Sequence, residues 1–346
     1  RDNLLRTVYA LFTKLHKGSP EYNQLAESGD CWYNYFDPGN IPRYGYERIQ
    51  ERHSAELQEV DLLRANLNSQ IPKRAASTIH TFAHQSTRIE HNTLSLSSSL
   101  SILLALENGL FDTLDSTSIP ALALPNLHLP KAETHLPNSD SSQTVELRNH
   151  IIANHWVVQN APHRLGTPGL DLREIQSLNA LLLKDTVSEA LHKTSWNGPT
   201  PLGSYRRSPI RTSGATLTIY PYHLEVPSLL QKWIYWRNET HEKKLLLPLI
   251  LACHIFIFFQ HIHPFLDGNG RVGRVMMMDF MMRQGMLPVV YLAGELDEDI
   301  GWYGKAVGRA QDRQAEEFVE GVLRAELGGL RDIRETMKKT TFAPVR

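Results

Sequence analysis

The apolar run from Leu245 to Phe259 constrains the fold more than any other stretch. It is interrupted only by Pro248 and His254 and is bounded by Lys243, Lys244 and Gln260. A membrane-spanning helix needs about 20 predominantly apolar residues. This run is shorter, so no membrane segment is expected in the chain. A helix that is apolar on every side must be buried, and a buried core helix is the expectation here. The 346 residues suffice for a sizeable core in one large or two modest domains. Lys and Arg number 36 against 37 Asp and Glu, so no global field draws the chain to nucleic acid or anionic lipid. Cys31 and Cys253 lie far apart and outside any metal or redox spacing.

Around that run the pattern is helical. Leu4, Leu5, Val8, Leu11, Phe12 and Leu15 recur at helical spacing until Gly18-Ser19-Pro20. Trp32, Tyr33, Tyr35, Phe36, Tyr44 and Tyr46 follow in an irregular stretch. No basic residues interleave with these rings, so they are read as packing onto the domain rather than as a binding platform. Glu47–Leu67 reads as one charged helix, and residues 1–77 as an N-terminal helical region of unassigned role. From Thr78, the positions Ile79, Phe82, Ala83, Ile89, Leu96, Leu100, Leu103 and Leu104 predict one long amphipathic helix over 78–106, with a polar interruption at Ser86–Asn92. Residues 112–143 carry Pro120, Pro125, Pro130 and Pro137 without a sustained period and read as a connector.

Residues 145–327 read as the chemical domain. Helices are predicted over Val145–Gln159, Leu170–His192 with Asp171 as N-cap, Val226–Glu239, Arg271–Gln284, Trp302–Ala310 and Gln314–Leu327. Two runs rich in β-formers flank Ser213-Gly214 and predict a hairpin, whose first strand Pro209 would confine to an edge. Residues 328–346 read as a tail. The expected class is all-α with a small β-hairpin.

The chemistry concentrates in His263-Pro-Phe-Leu-Asp267-Gly268-Asn269-Gly270-Arg271-Val-Gly-Arg274. Gly268, Gly270 and Gly273 match the spacing G-x-G-x-x-G, but no alternation of strand and helix surrounds them, which argues against a dinucleotide fold. His261, His263 and Asp267 suggest a metal site, yet no fourth ligand stands nearby. A phosphate site uses every residue. Backbone N–H groups at a helix start bind anions, and glycine lets phosphate oxygens approach. Arg271 and Arg274 project to the same side. Asp267 offers a hard oxygen to Mg²⁺, and His263 can act as a general base near neutral pH.

This stretch resembles the signature of the Fic family, H-x-F-x-[DE]-G-N-G-R-x-x-R, without mismatch. The resemblance implies an α-helical Fic core and a protein adenylyltransferase that moves AMP from ATP to a hydroxyl of a target protein. It implies His263 as the base, Asp267 as the Mg²⁺ ligand, Gly268, Asn269, Gly270 and Arg271 around the α- and β-phosphates, and Arg274 on the γ-phosphate. The related Doc-type kinases have Lys where Gly270 stands, so Gly270 favours AMP transfer over phosphate transfer. Gly203, Tyr205, Arg206 and Ile210, with the hairpin after them, are similar to the family's flap, which aligns the target segment. Tyr303 resembles a residue of the adenine pocket.

Ser86-Thr-Arg-Ile-Glu90-His91-Asn92 is similar to the family's inhibitory motif, [ST]-x-x-x-E-[GN], with His91 where Gly or Asn is usual. The resemblance implies that Glu90 pairs with Arg274 and displaces the γ-phosphate, and that Glu90 also serves removal of AMP. Members of the family often form dimers. Two other readings remain beside an autoinhibited enzyme: a nucleotide-binding regulatory protein with little turnover, and a Doc-like phosphotransferase. The target protein, the direction of reaction and the compartment are not written in the sequence. The chain begins at Arg1 rather than Met, which is read as processing or truncation, and Asn238-Glu239-Thr240 is a sequon of a kind that is mostly incidental.

Overall fold

The computed structural model describes residues 2–112, 117, 119–134, 136, 139–195, 198–210, 219–289 and 297–341. Its α-helices are α1 (Asp2–Val8), α2 (Pro20–Ser28), α3 (Asp30–Phe36), α4 (Tyr46–Arg52), α5 (Ser54–Leu67), α6 (Ile71–Ser77), α7 (Ile79–Ile89), α8 (Leu96–Leu106), α9 (Ser141–Asn160), α10 (Leu172–Leu183), α11 (Val187–Lys193), α12 (Val226–Glu242), α13 (Pro248–Ile262), α14 (Asn269–Arg283), α15 (Asp297–Gln311) and α16 (Glu316–Thr341). Among the described residues there is no strand, and the fold is all-α.

The apolar run forms α13, buried without a break from Leu249 to Gln260. Pro248 opens it at the position where its missing N–H costs nothing. Helices α12, α14, α15 and α16 surround it. Trp233 of α12 packs on Phe259, and Phe318 of α16 stacks on Phe256. Gly273 lets α13 and α14 cross closely: a Cβ there would lie 2.5 Å from Gln260 Nε2 and 3.0 Å from the Phe256 ring. Asp171 caps α10 through a reciprocal box with Glu174, with bonds of 2.8 and 2.9 Å.

One hydrophobic cluster runs from Val8 to Ile333. The N-terminal rings belong to it. Phe36 stacks on His261 with centroids 4.4 Å apart, and Tyr44 and Tyr46 pack on His254. The connector is fastened as well. Ala121 and Leu124 are buried, Ile119 O accepts from Trp156 Nε1 at 2.9 Å, and Lys184 Nζ donates to Pro125 O and Leu127 O, both at 2.8 Å.

Several elements differ from the sequence expectation. The single helix over 78–106 is two helices, α7 and α8, separated by a turn. Asn92 explains the break. Its side chain donates to Gln143 O and Glu146 Oε2, both at 3.0 Å, and accepts from Leu94 N at 3.1 Å. Ser95 then caps α8 by accepting from Ser98 N. The helix over 47–67 breaks at His53, whose ring bonds Glu320 of α16 at 3.0 Å. The tail from residue 328 continues α16 to Thr341, because Leu330 and Ile333 are buried. Gly329 fits there by close approach: a Cβ would lie 2.9 Å from Leu287 Cδ1. Tyr205–Ile210 forms no strand, since the Arg206 N–H donates to Pro264 O at 2.9 Å rather than to a ladder partner. Ser213-Gly214 and the rest of 211–218 lie outside the described residues.

Candidate active site

The loop between α13 and α14 carries the polar groups, and two side chains grip it. Asn269, itself buried, donates to Phe265 O and accepts from Phe265 N, both at 2.9 Å. Arg206, 2% exposed, donates through Nε to His263 O at 2.8 Å and through its other nitrogens to Ser208 O and Pro221 O. Phe265 is fully buried between them. The loop can therefore hold His263 in a left-handed conformation, φ 49°, which a non-glycine residue adopts only under constraint.

His263 is half-buried, and the Tyr220 ring stacks on its imidazole with centroids 4.1 Å apart. Burial, aided by the Arg206 charge, pushes its pKa down to about 4. The ring is neutral at pH 7. Nδ1 lies 3.4 Å from Gln260 O, which favours the Nδ1–H tautomer and leaves Nε2 as the proton acceptor.

Asp267 follows. Burial raises its carboxyl, but Arg271, the Ser188 hydroxyl and the Gly268 N–H outweigh that and hold it below the ordinary range. Gly268 N donates to Oδ1 at 2.6 Å, Ser188 Oγ donates to Oδ2, and Arg271 approaches Oδ2 at 3.1 Å. Gly268 begins α14 with φ 78°, and a Cβ there would meet Asn179 Nδ2 at 2.9 Å. The first bond of α14 runs from Val272 N to Gly268 O, so the N–H groups of residues 269–271 are those a helix start offers to an anion.

Both arginines are about 5% exposed and both are held by carboxylates. Arg271 reaches Glu146 Oε1 of α9 at 2.6 Å. Arg274 donates through Nε to Ser86 Oγ at 2.6 Å, and through one terminal nitrogen to Ser86 O at 2.9 Å and Glu90 Oε1 at 2.6 Å. Its guanidinium lies over the Tyr303 ring, 5.9 Å from the centroid. Burial opposes the Arg274 charge, but Tyr303 and Glu90 more than compensate and raise its pKa above the usual value. Burial likewise raises Glu90, and Arg274 with Arg271 outweighs it, so the carboxylate stays ionised. Gly270 is needed for this approach: a Cβ there would come within 2.7 Å of Glu90 Oε1.

A sequence model of the Fic/DOC family matches residues 169–281. This range holds the whole loop and the start of α14. The chain carries a Fic/DOC domain. Protein adenylyltransferase Fic of Drosophila persimilis is 32% identical over 129 residues, which are 35% of this chain and 24% of the fly protein. A probable protein adenylyltransferase of Aquifex aeolicus is 33% identical over 114 residues, 31% of this chain and 34% of that protein. This chain thus spans about a quarter to a third of the length of these relatives. Among solved structures, Fic-1 from C. elegans superimposes with a TM-score of 0.59 at 19% identity, covering 92% of this chain and 85% of that one. A Fic domain containing signaling protein from Bacteroides thetaiotaomicron gives 0.57 at 18% identity, covering 80% and 95%. At these identities the likeness is one of fold.

The Fic/DOC domain brings His263, Asp267, Gly268, Asn269, Gly270, Arg271 and Arg274 together, and α7, before the matched range, adds Ser86 and Glu90. Of the stretch read as a flap, the described part has Gly203 and Arg206 buried. Gly203 N bonds Asn179 Oδ1 at 3.2 Å, and a Cβ on it would strike Gln176 O at 2.4 Å. Tyr205 packs on Phe265, and Arg206 supports His263, while Ile210 is half-buried at the edge of the described residues. Tyr303 lies against Arg274. Sequence reasoning missed Glu146, Ser188 and Tyr220, which reach the site from segments remote in sequence and carry no local spacing signal. Among the described residues no group of three or more His, Cys, Asp or Glu could hold a metal. Mg²⁺ usually takes one or two carboxylates and completes its shell with phosphate and water oxygens, and the ionised Asp267 fits that demand.

Proposed function

We propose that this chain is a Mg²⁺-dependent protein adenylyltransferase restrained by Glu90. One observation carries the reading: His263 stands on the short loop that leads directly into the start of α14, whose first turns carry the two arginines that suit a triphosphate. A target Ser, Thr or Tyr hydroxyl would lose its proton to His263 Nε2 as its oxygen attacks the α-phosphorus. The bond from that phosphorus to the bridging oxygen of the β-phosphate breaks, and pyrophosphate leaves. Asp267 would hold Mg²⁺, which neutralises phosphate charge. The helix start and Arg271 favour the α- and β-phosphates, and Arg274 favours the γ-phosphate once it leaves Glu90.

The Glu90 carboxylate supports a second activity at the same site. It is ionised, and 34% of its side-chain surface stays exposed. It can orient a water toward the phosphorus of an AMP-modified target and so remove AMP.

ATP labelled on the α-phosphate tests the proposal. Label should enter protein with the wild type, more with Glu90→Gly, and not at all with His263→Ala. Entry of label from the γ-phosphate instead would establish phosphate transfer. ATP binding without transfer, even by Glu90→Gly, would leave a nucleotide-binding regulatory protein. A pre-labelled target that keeps its label with wild type and Glu90→Gly alike would refute the removal activity.

A further inference from the structure

Glu146 lies outside the residues that the family model matches, on α9, and both its oxygens are committed. Oε1 accepts from Arg271 at 2.6 Å, and Oε2 accepts from Asn92 at 3.0 Å. Its side chain is 17% exposed. Arg271 is held at two points, one terminal nitrogen on Glu146 and the other 3.1 Å from Asp267. The two holds differ in kind. Asp267 is the carboxylate that suits a metal ion, so its bond to Arg271 is one that nucleotide binding would exchange. Glu146 is not part of the anion loop: its second oxygen is held by Asn92, and it sits on a helix fixed to the core by buried Leu147, Ile151 and Trp156. A guanidinium anchored at one corner presents its other edge in a fixed direction, and such anchoring from rigid elements is what aligns a charged group on its ligand.

We propose that Glu146 is a positioning residue: it holds Arg271 by one terminal nitrogen so that the other is aimed at the β-phosphate of a bound nucleotide. Asn92 completes the device. It ties Glu146 Oε2 and Gln143 O to the turn after Glu90, so the end of α7 and the aim of Arg271 share one anchor. Glu90 can then release Arg274 by rotating its own side chain while the turn stays pinned to α9. The proposal rests on the nucleotide reading of the site but not on transfer, and the test is chosen accordingly.

ADP and AMP differ by the β-phosphate, and neither carries the γ-phosphate that Glu90 would exclude. Calorimetric titration of the whole chain with each, in the presence of Mg²⁺, reads the β-phosphate alone. The wild type should prefer ADP over AMP. Glu146→Ala should reduce that preference about tenfold while AMP affinity stays within twofold. Glu146→Gln still offers an oxygen to Arg271 and should retain most of the preference. Asn92→Ala, which leaves Glu146 in place but untied, should lose an intermediate amount and serves if Glu146→Ala does not fold. Equal weakening of ADP and AMP would mean a general structural role and overturn the proposal. So would an unchanged preference, an increased one, or a wild type that does not distinguish the two nucleotides. Failure of α-label transfer alone would refute the adenylyltransferase reading and leave this result standing.

Discussion

Replacing Glu90 by Gln sets two effects of opposite sign against each other. Arg274 makes three bonds to the end of α7, and only the 2.6 Å contact with Glu90 joins two charges. A γ-phosphate that claims Arg274 must first break that contact. Hydrogen bonds to charged groups contribute about 1.5–3 kcal/mol, and about 1.4 kcal/mol corresponds to tenfold. Glu90→Gln keeps the shape and removes the charge, so the rate of α-label transfer at subsaturating ATP should rise about 10- to 100-fold. The resting fold should lose stability, because Arg274 is 5% exposed and loses its anionic partner. Breaking a fully buried pair costs about 3–5 kcal/mol. Glu90 is partly exposed and Gln still accepts a bond, so the loss should be nearer 1 kcal/mol. Initial rates and a thermal melt without nucleotide read the two effects separately. A rate within twofold of wild type would refute the restraint, and a variant that melts higher than wild type would refute the stabilising role of the pair.

Two further outcomes follow from the geometry. Arg206→Lys removes the fork that holds the carbonyls of Ser208, Pro221 and His263, so kcat for transfer should fall at least tenfold while nucleotide affinity changes little; steady-state kinetics with a parallel binding titration checks this. Acid should destabilise the fold early. His150 and His254 are 1% exposed, and burial lowers both from 6.5 to about 3, so the unfolded chain binds more protons between those values. Their stabilising contribution is complete above 6.5 and is lost as pH falls toward 3; from pH 7 to pH 5 each should cost roughly 2 kcal/mol by linkage. Melting temperatures across that range measure it, and a flat profile would contradict the neutral state of these rings.

The all-α class and the core helix were readable because they rest on local pattern. The apolar run could only be buried, and Asp171 announces the start of α10. The loop motif stood out because its residues are consecutive. The break between α7 and α8 was not, because the apolar period continues across it and the competing bonds come from Gln143 and Glu146, far along the chain. Residues from 328 read as a tail, yet Leu330 and Ile333 are buried and Gly329 fits closely against Leu287. Sequence gives the position of Arg206 and not its direction; it turns inward to four backbone carbonyls. Glu146, Ser188 and Tyr220 are ordinary residues on ordinary segments until the fold delivers them to the loop.

His91 gives the turn after Glu90 its shape, with φ 70° and an exposed side chain. A left-handed conformation disfavours any residue with a Cβ, by about 1–2 kcal/mol. Glycine at this position would settle the turn, and a β-branched residue would loosen it. Neither change would touch a group that handles nucleotide. On the proposed function, the strength of the restraint could thus be tuned at a residue that takes no part in transfer. A lineage with one unaltered nucleotide site could drift to a higher or lower basal output through a single solvent-facing side chain.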